Sequence, residues 1–443
     1  MVERARISPG TSWRSRVDVA LWIMPTAFVV GAGVLAFLTD RLDQRLIDSG
    51  RELPWLLNRG DVDDLRVLSG TVAGASISTL ALVLSLTMVV MSNASTQFGP
   101  RLVRSFLRRR ATKVTISVFT GLFVFSLLVL DSATSSGSSS VGPDGFRPEV
   151  GGTVVLAGAI AAVCCLIWYV QDIASSIQLP AVLATTVAEL RGTVERLAAD
   201  VSGDHDVELG TDGADVEVGR TGYVQQIERR PIVEAAARAG AVVQMTVRAG
   251  DFVVEGEVIA RVHPGAAVGV LRDELGRRVD VGPHRTLDQD VQLAVDNVVE
   301  VALRALSPGI NDTFTGLACL DWLADALITL AGVRLGRAVF VDPSGAARLI
   351  ERQRTFTGIV ASAYEKIRQS AVDNPAVAIR LVESITRVAA VVPGGEAGDA
   401  LLAQATACVA AAAPRYVELD RAALLVRYDS LCERLGRPGD IPG

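Results

Sequence analysis

The sequence predicts a membrane-embedded bundle of four helices followed by a cytoplasmic α+β domain, and three features carry that reading. Half of the 443 residues are hydrophobic, and the excess is concentrated in the first 175. Four apolar runs there, at about 17–39, 69–91, 114–130 and 152–170, are each long enough to cross the ~30 Å of bilayer hydrocarbon. Beyond them come short β-branched runs punctuated by glycine near 222–263, then amphipathic helices to the end. The expected domains are a transmembrane domain at 1–175 and a helix with an acidic linker at 176–219. A small barrel-sandwich-hybrid-like β module at 220–265 and a helical remainder at 266–443 follow.

Arginine placement orients the spans. Arg4, Arg6, Arg14 and Arg16 precede the first, and Arg101, Arg104, Arg108, Arg109, Arg110 and Lys113 lie between the second and third. The loop between the third and fourth carries only Arg147. Both termini are therefore expected in the cytoplasm, although the loop at 40–66 also holds five arginines. No charged residue sits at the centre of a span, which argues against a proton relay or voltage sensor. Pro25 should kink or loosen the first span, because its ring removes a backbone bond.

The second span is the most informative. Thr71, Ser78, Ser85 and Ser92 recur every seven residues and so share one helix face. Such a stripe is either a helix-packing seam, continuing the small-xxx-small pattern of Gly70, Gly74 and Ser78, or the lining of a polar path. After Gly99-Pro100 the arginines Arg101, Arg104, Arg108, Arg109 and Arg110 form an elbow that anchors the chain at the anionic headgroups of the lipid bilayer.

In the second half, Gly250-Asp251 and Gly256 mark tight turns in a short β-rich stretch, and residues 231–239 read as a helix between its strands. The pattern resembles the barrel-sandwich hybrid of lipoyl and biotinyl domains. Carriers of that group attach their cofactor to a lysine, and no lysine lies between Lys113 and Lys366. The helix at 288–306 ends at Ser307-Pro308-Gly309, and Asn311-Asp312 can cap the next helix at 313–331. Ser307, Gly309, Asn311 and Asp312 are thus either an interhelical turn or an anion- or ligand-binding turn at a helix N-terminus. Further helices are expected at 355–370, 375–392, 399–413 and 418–435.

Chemistry finds little support in the residue types. Three histidines, five scattered cysteines and the loop triplet Asp204-His205-Asp206 form no metal-ligand spacing. There is no P-loop, nucleophile elbow or HExxH, so neither an enzyme nor a cofactor is expected. The cluster of His284, Arg285, Thr286, Asp288 and Asp290 suits a helix start, with Arg285 pairing locally. A net charge of −6 argues against nucleic acid as a partner.

Several motifs together resemble the bacterial predicted-membrane-protein family called domain of unknown function 2254. They are SNASTQFGPRLVRSFLRRR at 92–110, GYVQQI at 222–227, GDFVVEG at 250–256 and RTLDQD at 285–290. ALRALSPGINDTFTGLACLD at 302–321 and AYEKIRQSAVDNPAV at 363–377 complete the set. Thr313 departs from the proline that relatives carry after SPGIND. The resemblance implies an inner-membrane protein with four spans and a large cytoplasmic domain, and no activity. The expectation is a homo-oligomeric channel or transporter-like protein gated by its cytoplasmic domain; the alternative is a non-conducting sensor or scaffold that binds a cytoplasmic partner or ligand.

Overall fold

The computed structural model describes residues 23–48, 62–98, 110–136, 149–176, 179–200, 209, 211–333, 335–392 and 394–437. The chain divides between Gln178 and Leu179 into two compact units.

The first unit contains helices α1 (Ile23–Asp48), α2 (Val62–Phe98), α3 (Arg110–Ser136) and α4 (Glu149–Ser176). All four outrun the apolar cores that mark them in the sequence, because flanking polar residues continue the helical hydrogen bonding. Pro25 lies within the described part of α1, which continues as helix to Asp48. Helix α3 packs against the other three. Phe125 and Val129 meet Ala32 and Val155, while Phe119 and Leu122 meet Ala162.

Among the described residues, polar side chains latch the helices of this bundle together. The Asp43 carboxylate, 2% exposed, accepts from the N–H groups of Val150 (3.0 Å) and Gly151 (3.3 Å) and so caps α4 from another helix. Arg66 Nη2 donates to the Ala133 carbonyl at 2.8 Å, near the end of α3. The buried Tyr169 hydroxyl meets Thr87 Oγ1 at 2.6 Å and donates to the Val83 carbonyl at 3.1 Å, joining α4 to α2. Asp43→Ala should lower stability by about 2 kcal/mol, since it strands two buried donors. Thermal unfolding in detergent measures this, and Asp43→Asn, which keeps an acceptor, should lose less.

The second unit begins with α5 (Leu179–Asp200). Strands β1 (Ala214–Glu217), β2 (Gly222–Ile227), β3 (Val242–Met245), β4 (Phe252–Val253) and β5 (Val258–His263) follow, with α6 (Arg229–Arg238) between β2 and β3. After α7 (Val268–Arg278) comes β6 (Val279–Gly282), then α8 (Val291–Ala305) and α9 (Thr313–Ala331). A hairpin of β7 (Arg337–Val341) and β8 (Ala347–Arg352) precedes α10 (Phe356–Ser370), α11 (Pro375–Ala389), α12 (Glu396–Ala412) and α13 (Glu418–Leu435).

The strands form two sheets, of order β1-β5-β3-β8-β7 and β4-β2-β6, whose shared core includes Val224, Ile227, Val243, Met245, Ile259 and Leu349. All pairings are antiparallel except β3 with β8. The expected boundaries at 265 and 266 are corrected here. Strand β6 and the β7–β8 hairpin come from the stretch read as helical, because β-branched and aliphatic runs flank an Asp-Pro-Ser-Gly turn and return to the sheet. Asp342 anchors that turn by accepting from Ser344 N (2.9 Å), Ala346 N (3.1 Å) and Arg348 Nε (2.8 Å).

The C-terminal helices pack on one another around buried Leu320, Tyr364, Leu381, Ile385 and Leu401. The Tyr364 hydroxyl meets Ser384 Oγ at 2.8 Å, and Ser384 Oγ donates to the Leu320 carbonyl at 2.9 Å. Among the described residues, five helices are long and apolar enough to cross a membrane, the fifth being α9 in this second unit. Its Cys319, Leu320, Leu323, Leu327 and Leu330 are wholly buried, and it packs against α5, α8 and α11.

Candidate functional site

The hydroxyl stripe has a definite direction. The buried side of α2 carries Leu65, Ser69, Ala73, Ser76 and Val83, facing the rest of the bundle. Ser78 lies two residues after Ser76 and Ser85 two after Val83, about 200° round the helix. Thr71, Ser78, Ser85 and Ser92 are all exposed, on the side turned away from their own bundle. Ser78 Oγ donates to the Gly74 carbonyl at 2.8 Å, which satisfies one hydroxyl within its own helix. Open space lies over Gly70 and Gly74, so among the described residues no helix packs on the small-residue pattern. The exposed positions Val67, Thr71, Gly74, Ser78, Ala81, Ser85, Met88 and Ser92 are spaced alternately by four and three residues, the spacing of a coiled-coil seam.

Arg101, Arg104, Arg108 and Arg109 lie outside the described residues; Arg110 opens α3 and is exposed. The SPGIND turn closes on itself. Ser307 accepts at its carbonyl from the N–H groups of Ile310 (3.0 Å) and Asn311 (2.9 Å), and Asn311 takes a left-handed φ of 49°. Asp312 Oδ1 accepts from Thr315 N at 3.1 Å and Oδ2 from Thr315 Oγ1 at 2.6 Å. These bonds hold its carboxyl below the ordinary carboxylate range. The capping carboxylate thus occupies the helix N-terminus that an external anion would need. Gly309 stands in open space, and Ile310 and Phe314 project from the tip, Phe314 being 85% exposed.

A denser arrangement joins 284–296 to the sheets. Gln289 Oε1 accepts from Ile227 N and its Nε2 donates to the Ile227 carbonyl, both at 2.9 Å. Thr286 Oγ1 donates to the Gln225 carbonyl at 2.9 Å. Asp290 caps α8 by accepting from Leu293 N at 3.2 Å, and Arg285 bonds both Asp290 (2.7 Å) and Asp296 (2.6 Å). Burial pushes the Asp290 carboxyl up, and Arg285 pulls it back.

Beside this clamp is a cleft of about 570 Å³, within the range of small-ligand sites. It is lined by Arg248, Arg337, Arg352 and Arg354, with Gln244 and Ile350 from neighbouring strands. Gly336 lies at its rim beside the sheet, and Thr355, the N-cap of α10, and Ser362 come from the helical side. The sheet fixes two of the guanidinium groups, since Arg337 on β7 and Arg352 on β8 are register partners. Arg248 and Arg354 share Asp251, at 3.3 and 3.2 Å. Burial, and then the neighbouring Arg248, lower the pKa of Arg354.

Comparison with known proteins decides the family. Residues 19–387 match the family described as predicted membrane protein (DUF2254). The chain belongs to this family.

Curated relatives of this DUF2254 member include uncharacterized protein Mb1321c of Mycobacterium bovis and uncharacterized protein Rv1290c of Mycobacterium tuberculosis. Each is 28% identical over 440 residues, covering 95% of this chain and 82% of the relative. No solved structure matches it. Three of the motifs that carry the DUF2254 resemblance meet in space: RTLDQD is bonded to GYVQQI, and Gly250 of GDFVVEG abuts Asp290. The cleft arginines escaped the sequence reading. The one local signal was the run Arg352-Gln353-Arg354-Thr355 ahead of a helix, and the parallel β3–β8 pairing that brings Arg248 beside it has no local signature.

Proposed function

We propose that this DUF2254 protein is a homo-oligomeric channel or transporter-like protein of the bacterial cytoplasmic membrane, in which α2 faces α2 of neighbouring copies. The observation that carries this reading is the exposed seam of small residues on α2. Thr71, Gly74, Ser78, Ala81 and Ser85 permit close helix approach, and their hydroxyls can stand in for water along a path. In this reading α1–α4 span the bilayer, both termini are cytoplasmic, and α9 stays in the core of the α+β unit. The two small sheets then serve as a lipoyl-like platform for assembly, and the arginine elbow contacts anionic headgroups.

Cysteine scanning tests it. In a chain whose five cysteines are replaced, Ser78→Cys and Ser85→Cys should crosslink into oligomers on oxidation in membranes, and Val83→Cys should not. Proteoliposomes should pass ions or small solutes, and Ser85→Leu should cut that flux about tenfold or more. Crosslinking at Val83→Cys instead, or no flux for any tested ion under osmotic shock, would sink the reading.

A second reading, a non-conducting sensor, is favoured by the arginine-lined cleft, which is shaped for a ligand rather than for passage. A liganded chain with no conductance would select it.

A further inference from the structure

We infer that the cleft between the β7–β8 hairpin and α10 is a binding site for a multiply charged phosphoryl group, carried by a phosphate ester or a pyrophosphate. The inference is independent of whether the membrane helices conduct.

The first ground is charge. Arg248, Arg337, Arg352 and Arg354 converge on one cleft, and Asp251 at its edge is shared by Arg248 and Arg354. Neither Arg337 nor Arg352 has a carboxylate partner among the described residues. These two are direct cross-strand partners in an antiparallel ladder, so their side chains share one face of the sheet. Like charges in that position destabilise a sheet unless an anion lies between them. Elsewhere in the same unit arginines are paired: Arg229 with Glu351, Arg261 with Asp215, and Arg348 with Asp342. The cleft thus sets two guanidinium groups without a described carboxylate partner beside two that share a single acid.

The second ground is unspent donors. Gln353 Nε2 and Arg354 Nε are buried with no acceptor, and both belong to residues lining the cleft. A buried donor without an acceptor carries a desolvation cost that a ligand oxygen would remove. The third is shape. Thr355, Gly358 and Ser362, three and four residues apart on one side of α10, form the wall opposite the sheet and add hydroxyl groups to the lining. Guanidinium forks suit a phosphoryl group, with several oxygens in fixed directions, better than a single carboxylate. Ile350, Gly336 and the Gln292–Ser362 pair, bonded at 2.7 Å, leave room for an organic remainder.

The test uses the full chain in phosphatidylcholine nanodiscs and inorganic pyrophosphate as probe, with chloride added to matched ionic strength. Calorimetry should show saturable binding, and pyrophosphate should raise the unfolding temperature. Arg337→Gln and Arg352→Gln should each weaken binding about tenfold or more. Without the anion, Arg352→Gln should melt above the parent chain, because it removes a repulsion. With saturating pyrophosphate the parent should melt above the variant. That inversion cannot arise from a variant that merely misfolds. Absence of saturable binding to a parent chain that melts cooperatively would overturn the inference, as would equal binding by the Arg337→Gln/Arg352→Gln chain. Discs containing a phosphorylated inositol lipid separate two sources of the same chemistry. Loss of pyrophosphate binding in those discs assigns the site to a lipid headgroup, and retention assigns it to a soluble phosphate.

Discussion

Asp290→Ala should destabilise the α+β unit by about 3–5 kcal/mol, the loss typical of removing one member of a buried ion pair. Asp290 is 3% exposed and does two things at once: it caps α8 through Leu293 N and neutralises Arg285. Alanine removes the cap and leaves Arg285, a largely buried cation, to Asp296 alone. The unfolding temperature in detergent should fall on the order of 10 °C. Asp290→Asn retains a cap acceptor but not the charge and should fall between parent and alanine. Equal melting of all three chains would show that neither cap nor ion pair contributes.

Gly250→Ala should cost about 3 kcal/mol or more. Gly250 has a φ of +92°, where an L side chain is strained, and an added Cβ would stand 2.1 Å from Asp290 Oδ2 and 2.6 Å from its Cγ. Either Asp290 swings away from Arg285, or the turn before β4 opens and takes Asp251 with it. The two substitutions therefore act on one contact, and the double variant Gly250→Ala/Asp290→Ala should lose clearly less than the sum of the singles. Additive losses would mean that the clash is relieved elsewhere.

How much of this was legible in the sequence follows the range of the interactions. Local signals placed the helices well. Asp312, Thr355 and Asn374-Pro375 mark helix starts that the structure shows with capping bonds at 3.1, 3.2 and 3.3 Å. The membrane-type helices were visible from length and hydropathy, and the heptad hydroxyls of α2 from spacing alone. Their direction was not visible. The buried side of α2, with Ser69, Ala73 and Ser76, is as small and polar as the exposed side, so no hydrophobic contrast says which one packs. The β7–β8 hairpin was missed although its Asp-Pro-Ser-Gly turn is a recognisable signal, because the helices around it dominate the pattern. The cleft could not be read at all. It depends on a parallel pairing between Gln244 and Ile350, and parallel pairing is set by topology rather than by neighbouring residues.

The length of α2 sets a mechanical condition on the whole protein. Its 37 residues make a rod of about 55 Å, against about 30 Å of hydrocarbon. Asp63, Asp64 and Arg66 cluster at one end of that rod, and at the other the polar run begins at Ser92. The rod therefore reaches well into the headgroup and water layers or leans steeply to hide its length, and mismatch couples that lean to bilayer thickness. A thinner membrane tips α2 further, and each degree of tilt is magnified at the overhanging ends. The hydroxyl seam thus rides on a lever whose angle the surrounding lipid sets.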